Sequence, residues 1–224
     1  MQQLELYPGT GRHKITVDVT QPPVKVDEGF FPKERLQGEI ERHGLRRQVS
    51  LFIKNLSLHC TPEYYLSQWE NYKVAGIPVV GSVRLLPNNN RQVVTGDVTT
   101  DGSVLFDKAL AKHKPHELQQ HRFKDVFFQI MQSSELAAVR RKAEEYARNA
   151  TSIGLLINPD DPFSLRIHPD GTWDIIALDL DDLGRHLEIS PEEYASYNMQ
   201  SVEEFVQALE KIQNKMTPHS WKFW

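Results

Sequence analysis

The spacing of apolar residues divides the chain into a strand-like first part and a mainly helical second part. Apolar and polar residues alternate in Lys14–Val19, and the alternation returns in Leu36–Glu41 and Gln48–Ile53, on either side of a turn at His43–Gly44. The pattern therefore predicts a hairpin that leads into a strand ending at Lys54.

A helix is predicted after this hairpin. Thr61-Pro62-Glu63 combines an N-cap residue, a proline at the first helical position and an acid in the first turn, and Gly76 and Pro78 mark the helix end. Two further strands are predicted at Pro78–Leu86 and Arg91–Thr95, joined by a turn-rich segment.

The period becomes helical from residue 114 to 150, which indicates two helices or one helix interrupted near Ser133–Ser134. A second hairpin is predicted from Ser164–Ile167 and Trp173–Leu178, with a turn at His168–Gly171. Near the end, two capping boxes begin at Ser190 and Ser201, and the second is expected to open the last helix.

Composition narrows the class of protein. The 224 residues include 26 Lys and Arg against 30 Asp and Glu, so the chain lacks the net positive charge that favours nucleic-acid binding. A single cysteine, Cys60, excludes an intramolecular disulfide framework. His113, His116 and His121 do not share one helix face, which disfavours a zinc site. Without a secretion signal or a long apolar stretch, the expected location is the cytoplasm, with no membrane partner.

The candidate chemistry depends on the order of three charged residues, since the chain has no Walker loop, Gly-x-Gly-x-x-Gly, His-Glu-x-x-His or Gly-x-Ser-x-Gly motif. Lys54 ends a predicted strand, Glu70 lies in the next helix, and Asp179 follows a late hairpin. Phosphoryl transfer needs a cation on the phosphates, a carboxylate that positions this cation, and a carboxylate that holds Mg²⁺. The three residues could fill these roles.

This order resembles the protein-kinase-like superfamily, in particular its aminoglycoside and choline phosphotransferase-like branches, in a divergent and minimal form. The resemblance covers about residues 36 to 184. Its motifs are Leu51–Lys54, Gln68–Tyr72, Ala75–Val80, Arg91–Asp97 and His168–Asp182.

The resemblance implies an α+β, two-lobed kinase-like fold. An N-terminal lobe, residues 1–97, would contain an antiparallel sheet with one helix, and a mainly helical lobe with a short β-hairpin, residues 98–224, would follow. ATP and Mg²⁺ would be the cofactors. Lys54 would contact the phosphates, Glu70 would orient Lys54, and Thr95 to Asp97 would line the adenine edge. Asp179 would hold the metal, and Asp160 or Asp161 would be the catalytic base.

Departures from the family pattern leave other functions open. The segment around Gly29 has one glycine, Pro159 stands where the base is expected, and Ser164 stands where a metal-binding asparagine is expected. The first hypothesis is phosphoryl transfer to a small-molecule or protein hydroxyl. A second is an inactive pseudokinase-type module that binds or scaffolds a protein partner, and a third is an unrelated α+β domain without cleft chemistry.

Overall fold

A computed structural model describes residues 2–217 except 10–12, 27–32, 43, 59, 88, 90, 133, 160 and 181–188. The chain divides into two compact units. The first comprises Met1–Asn71 and Val79–Thr100, and the second comprises Tyr72–Pro78 and Asp101–Trp224.

The first unit contains a closed antiparallel β-barrel. Its strands are β1 (Gln2–Pro8), β2 (Ile15–Lys25), β3 (Lys33–Arg42), β4 (Leu45–Asn55), β5 (Val83–Leu85) and β6 (Gln92–Gly96). Neighbouring strands follow the order β1-β2-β3-β4-β6-β5, and β1 also pairs with β5. This last pairing closes the barrel.

The closed barrel shows that the predicted fold class, a two-lobed kinase-like fold with an open N-terminal sheet, is wrong. Strand β1 pairs through Leu4 with Val17 on one side and through Tyr7 with Leu85 on the other. The sequence reasoning did not identify β1 as a strand. It also could not detect closure, because alternation reports which face of a strand is buried and not which distant strand is its neighbour.

Alternating side chains of the strands fill the barrel. The buried core residues are Leu6, Val17, Val19, Leu36, Leu51, Ile53 and Val94. Gly38 lies opposite Val19, where a Cβ atom would come within 2.5 Å of Val17 Cγ1. Any larger residue at position 38 would therefore displace β2, which explains the glycine in the middle of a strand.

Helix α1 (Pro62–Val74) begins and ends as the sequence predicts. The Tyr64 amide donates a hydrogen bond to the Thr61 hydroxyl, which confirms the N-cap. At the other end Gly76 has φ +74°, its amide donates to the Lys73 carbonyl, and the Ile77 amide donates to the Tyr72 carbonyl. These two bonds form a Schellman motif, which requires the left-handed conformation that glycine adopts freely.

The second unit joins a three-stranded sheet to four helices. Its sheet contains β7 (Val104–Phe106), β8 (Ser164–Ile167) and β9 (Trp173–Ile176) in the order β7-β8-β9. The helices are α2 (Pro115–Gln119), α3 (Lys124–Gln132), α4 (Ser134–Ser152) and α5 (Tyr194–Met216). None of the helices in the described part of the chain has the length and apolar character needed to cross a membrane.

Most of the predicted elements of this unit are confirmed. The β8–β9 hairpin forms. The region from 114 to 150 contains three helices and not the two predicted, because α2 ends at Gln119 and α3 begins at Lys124, whereas the end of α3 at Gln132 and the start of α4 at Ser134 agree with the predicted interruption. The last helix differs, because α5 begins at Tyr194 and not at Ser201. Ser201 is fully buried and its hydroxyl donates to the Tyr197 carbonyl, so it is an interior helix residue and not a cap.

Candidate ligand-binding site

The predicted phosphate lysine is buried. Lys54 lies in β4 with 4% of its surface exposed, and its ammonium nitrogen is 5.0 Å from the centre of the Tyr65 ring. The predicted partner Glu70 lies at an exposed position of α1, as a solvated helix residue does, whereas its neighbours Gln68 and Trp69 are buried. The two residues that the resemblance pairs therefore differ in exposure, since Lys54 is buried and Glu70 is exposed. The orienting role of Glu70 stays a prediction.

The two predicted adenine-edge residues belong to β6 and its end. Thr95 is buried and lies opposite Phe52 of β4. Asp97 accepts hydrogen bonds from the Ser50 hydroxyl at 2.8 Å and from the Thr99 hydroxyl at 2.6 Å. Burial opposes ionisation of Asp97, but these hydrogen bonds outweigh it and lower its pKa. The carboxylate of Asp97 is therefore a negative charge that hydrogen bonds from Ser50 and Thr99 hold in place.

The remaining predicted residues fall in the second unit. Asp161 and Asp179 are both half-buried, Asp161 shortly before β8 and Asp179 shortly after β9. Asp160 lies outside the described residues. Among the residues that are described, no group of three or more His, Cys, Asp and Glu side chains could hold a metal ion. The catalytic role of Asp160 or Asp161 and the metal role of Asp179 stay predictions.

A cavity of the barrel unit was not predicted from the sequence. It has a volume of about 1040 Å³ and lies at the end of the barrel where β2 begins and β3 ends. Five apolar side chains form its wall: Ile15, Ile40, Val49, Leu51 and Val94. The polar lining residues are Gln3, His13, Lys14, Thr16, Asp18, Glu41, Arg42, Ser82 and Arg84.

Two arginines occupy strand positions that otherwise carry core side chains. In β3, Arg42 follows Leu36 and Ile40 on the same alternating face. Arg84 lies two residues before Leu86, which packs against the barrel core. Arginine at such positions is unusual, because the inward face of a small barrel is normally apolar. This break in the alternation is the sequence signal that could have located the cavity.

Arg84 is held in a partly buried environment. Its Nη1 donates a 2.6 Å hydrogen bond to the His13 carbonyl, and its Nε is buried without a hydrogen-bond partner among the described residues. Burial, and then the positive charge of Arg42, lower the pKa of Arg84. The cavity thus combines an apolar wall with two neighbouring cations.

Comparison with known proteins does not assign a family: no family model, curated protein or solved structure matches this chain.

Proposed function

We propose that the barrel unit is a small-molecule-binding module and that its ligand occupies the cavity at the barrel end. Of the second sequence hypothesis this proposal keeps only binding without catalysis, because the closed barrel contradicts the kinase-like fold that the hypothesis assumed. The observation that carries it is the cavity itself, whose volume of about 1040 Å³ lies at the upper end of the range of small-molecule sites.

The composition of the cavity wall supports the proposal. Ligand sites combine an apolar lining with a few polar groups that fix orientation, and the mouths of β-barrels are common places for them. Val49 and Ile40 are only partly buried here although they lie on the inward face. A ligand would cover this apolar surface.

The test uses the neutral fluorescent probe N-phenyl-1-naphthylamine, whose emission rises in an apolar environment. We expect saturable binding to the native protein and loss of that binding in Val49→Trp, because the indole would fill the cavity. Val24→Trp is the matched control, since Val24 is an exposed valine of β2 outside the cavity lining. Equal binding by both variants would place the probe elsewhere and overturn the proposal.

A second candidate function is nucleotide binding at Lys54, followed by phosphoryl transfer. The supporting observation is that Lys54, the residue predicted to contact the phosphates, is a buried lysine of β4 beside the Tyr65 ring. In this candidate Lys54 contacts the phosphates of ATP, and Thr95 and Asp97 lie near the base. The acceptor would be a small-molecule or protein hydroxyl.

A thermal-shift titration with ATP, with and without Mg²⁺, tests this second candidate. A ligand at about 100 times its Kd stabilises a protein by about 2.7 kcal/mol, which is easily measured. The shift should disappear in Lys54→Met and persist in Lys25→Met, where the lysine is exposed. No shift at millimolar ATP would reject nucleotide binding and leave the cavity proposal untouched.

A further inference from the structure

Arg42 and Arg84 line the barrel-end cavity, and neither forms an ion pair with a carboxylate of the described residues. Two acids line the same cavity, and both have other partners: Asp18 accepts a hydrogen bond from Gln3 at 2.9 Å, and Glu41 pairs with Arg46 at 3.7 Å. The two arginines therefore face one partly apolar space without a direct ion-pair partner among the described residues.

The third lining cation is already neutralised. Lys14 pairs with Glu5 at 2.7 Å, and this hydrogen bond raises the pKa of Lys14. The positive charge available to a ligand thus belongs to Arg42 and Arg84.

Resting on the proposed binding function of this cavity, we infer that its ligand is an organic anion with an apolar body. The head group is a carboxylate or a phosphate ester bound by Arg84 and Arg42, and the apolar body lies against Ile15, Ile40 and Val49. Carboxylate and phosphate share the feature that the guanidinium recognises, two oxygen atoms that can accept parallel hydrogen bonds.

The contact between Arg84 and the His13 carbonyl prepares Arg84 for this role. Because Nη1 is fixed by a backbone oxygen at 2.6 Å, the plane of the guanidinium is held in place before a ligand arrives. Arg84 also lines the cavity, so a head group bound there meets a guanidinium whose plane is already fixed. A neutral ligand of the same shape would form no charge-assisted hydrogen bond with this guanidinium, so the site should discriminate by charge.

Two dyes of matched shape test the inference. 1-Anilinonaphthalene-8-sulfonate carries an anionic group on the framework of the neutral N-phenyl-1-naphthylamine, and sulfonate oxygens accept the same hydrogen bonds as those of phosphate. We expect the anion to bind the native protein at least about tenfold more tightly than the neutral dye, as charge-assisted hydrogen bonds imply. Decanoate should displace it, and decanol should not.

Substitutions of Arg84 and Arg42 test whether these two residues cause the preference for the anionic dye. Arg84→Gln and Arg42→Gln should each weaken binding of the anionic dye by about tenfold and leave the neutral dye unchanged. Arg91→Gln is the matched control, because this exposed arginine of the same unit lies outside the cavity lining. Arg42 is itself exposed, so its variant keeps the test valid even where Arg84→Gln does not fold.

The outcomes separate the inference from the proposed function. Equal affinity for both dyes, with both blocked by Val49→Trp, would overturn the anionic ligand and keep the binding module. A preference for the anion that survives both arginine variants would also overturn the inference. Absence of binding by either dye would overturn the inference together with the proposed function.

Discussion

Among the described residues, three aspartates accept hydrogen bonds from a serine or threonine two positions later in the chain. The amides of these residues donate to the aspartate carboxylates at 2.8–3.0 Å, in Asp97–Thr99, Asp101–Ser103 and Asp170–Thr172. The pKa of each of the three aspartates is lowered, because the bonds favour the charged carboxylate. The Asp-x-Ser/Thr pattern that creates these turns is readable directly from the sequence.

Asp101 gives the clearest pH prediction. Hydrogen bonds from Ser103, and next from His168, lower its pKa to about 2 from an ordinary value of 3.8. Because the folded-state pKa is the lower one, its contribution to stability is complete above pH 3.8 and is lost as the pH falls towards 2. We expect the free energy of unfolding to fall more steeply between pH 4 and pH 2 in the parent than in Asp101→Asn.

Urea denaturation followed by circular dichroism at pH 5, 4, 3 and 2 measures this difference. The asparagine keeps an oxygen that can accept the Ser103 amide, so the turn is preserved and only the titration is removed. Asp101 is largely exposed, and solvent screening therefore keeps the effect modest. Parallel pH curves for the two proteins would contradict the prediction.

At the scale of elements, the ends of a helix were predictable where residues close in sequence determine them. Thr61 and Gly76 delimit α1 as expected, since a cap and a left-handed terminus depend only on residues within a few positions. Ser201 shows the limit of such reasoning. Its sequence has the form of a capping box, but burial of the residue in the middle of α5 overrides the local preference.

Replacement of Gly76 tests the helix end. A Cβ at this position would meet only Asn149 Nδ2, at 4.0 Å, so the effect of Gly76→Ala comes from the backbone conformation and not from a clash. We expect the free energy of unfolding to decrease by about 1 kcal/mol, the usual difference between alanine and glycine at positive φ. Urea denaturation of the purified variant measures it.

Gly81→Ala is the control for this change. Gly81 has open space around its Cβ position and no positive φ, so alanine should leave the free energy of unfolding unchanged or raise it slightly. Gly76→Asn should recover part of the loss, because asparagine tolerates the left-handed region better than alanine. A neutral Gly76→Ala would show that the Schellman bonds do not require glycine here.

The candidate site was less predictable than the elements. Lys54, the predicted phosphate lysine, is buried in β4, whereas Glu70, its predicted partner, lies at an exposed position of α1, and both roles stay predictions. Arg42 and Arg84 were missed. Both break the alternation of their strands, but only the barrel brings the end of β3 and β5 to one cavity.

At the scale of the whole molecule, closure of the barrel decides the architecture. Local alternation in β2, β3 and β4 fits an open sheet and a barrel equally well. What distinguishes them is the pairing of β1 with β5, two segments that are distant in sequence. The wrong fold-class prediction followed from this ambiguity, because alternating segments in this order suit an open antiparallel sheet as well as a closed barrel.

A disulfide across the β1–β5 pair tests closure directly. Tyr7 and Leu85 lie opposite each other, and paired residues of antiparallel strands have Cα separations compatible with a disulfide. We expect Tyr7→Cys combined with Leu85→Cys, in a Cys60→Ser background, to form the bond on mild oxidation. Because the bond closes a long loop, it should raise the free energy of unfolding by about 2–4 kcal/mol relative to the reduced protein.

The register supplies the control for this experiment. Glu5 is two residues from Tyr7 on the same face of β1 and pairs with Thr16 of β2, so Glu5→Cys with Leu85→Cys should form much less of the disulfide. Non-reducing gel mobility and urea midpoints, with and without reductant, report both results. If neither pair crosslinks, or both do equally, β1 does not hold the register that closes the barrel, and the closed barrel end at which the binding proposal places its ligand is not formed as described.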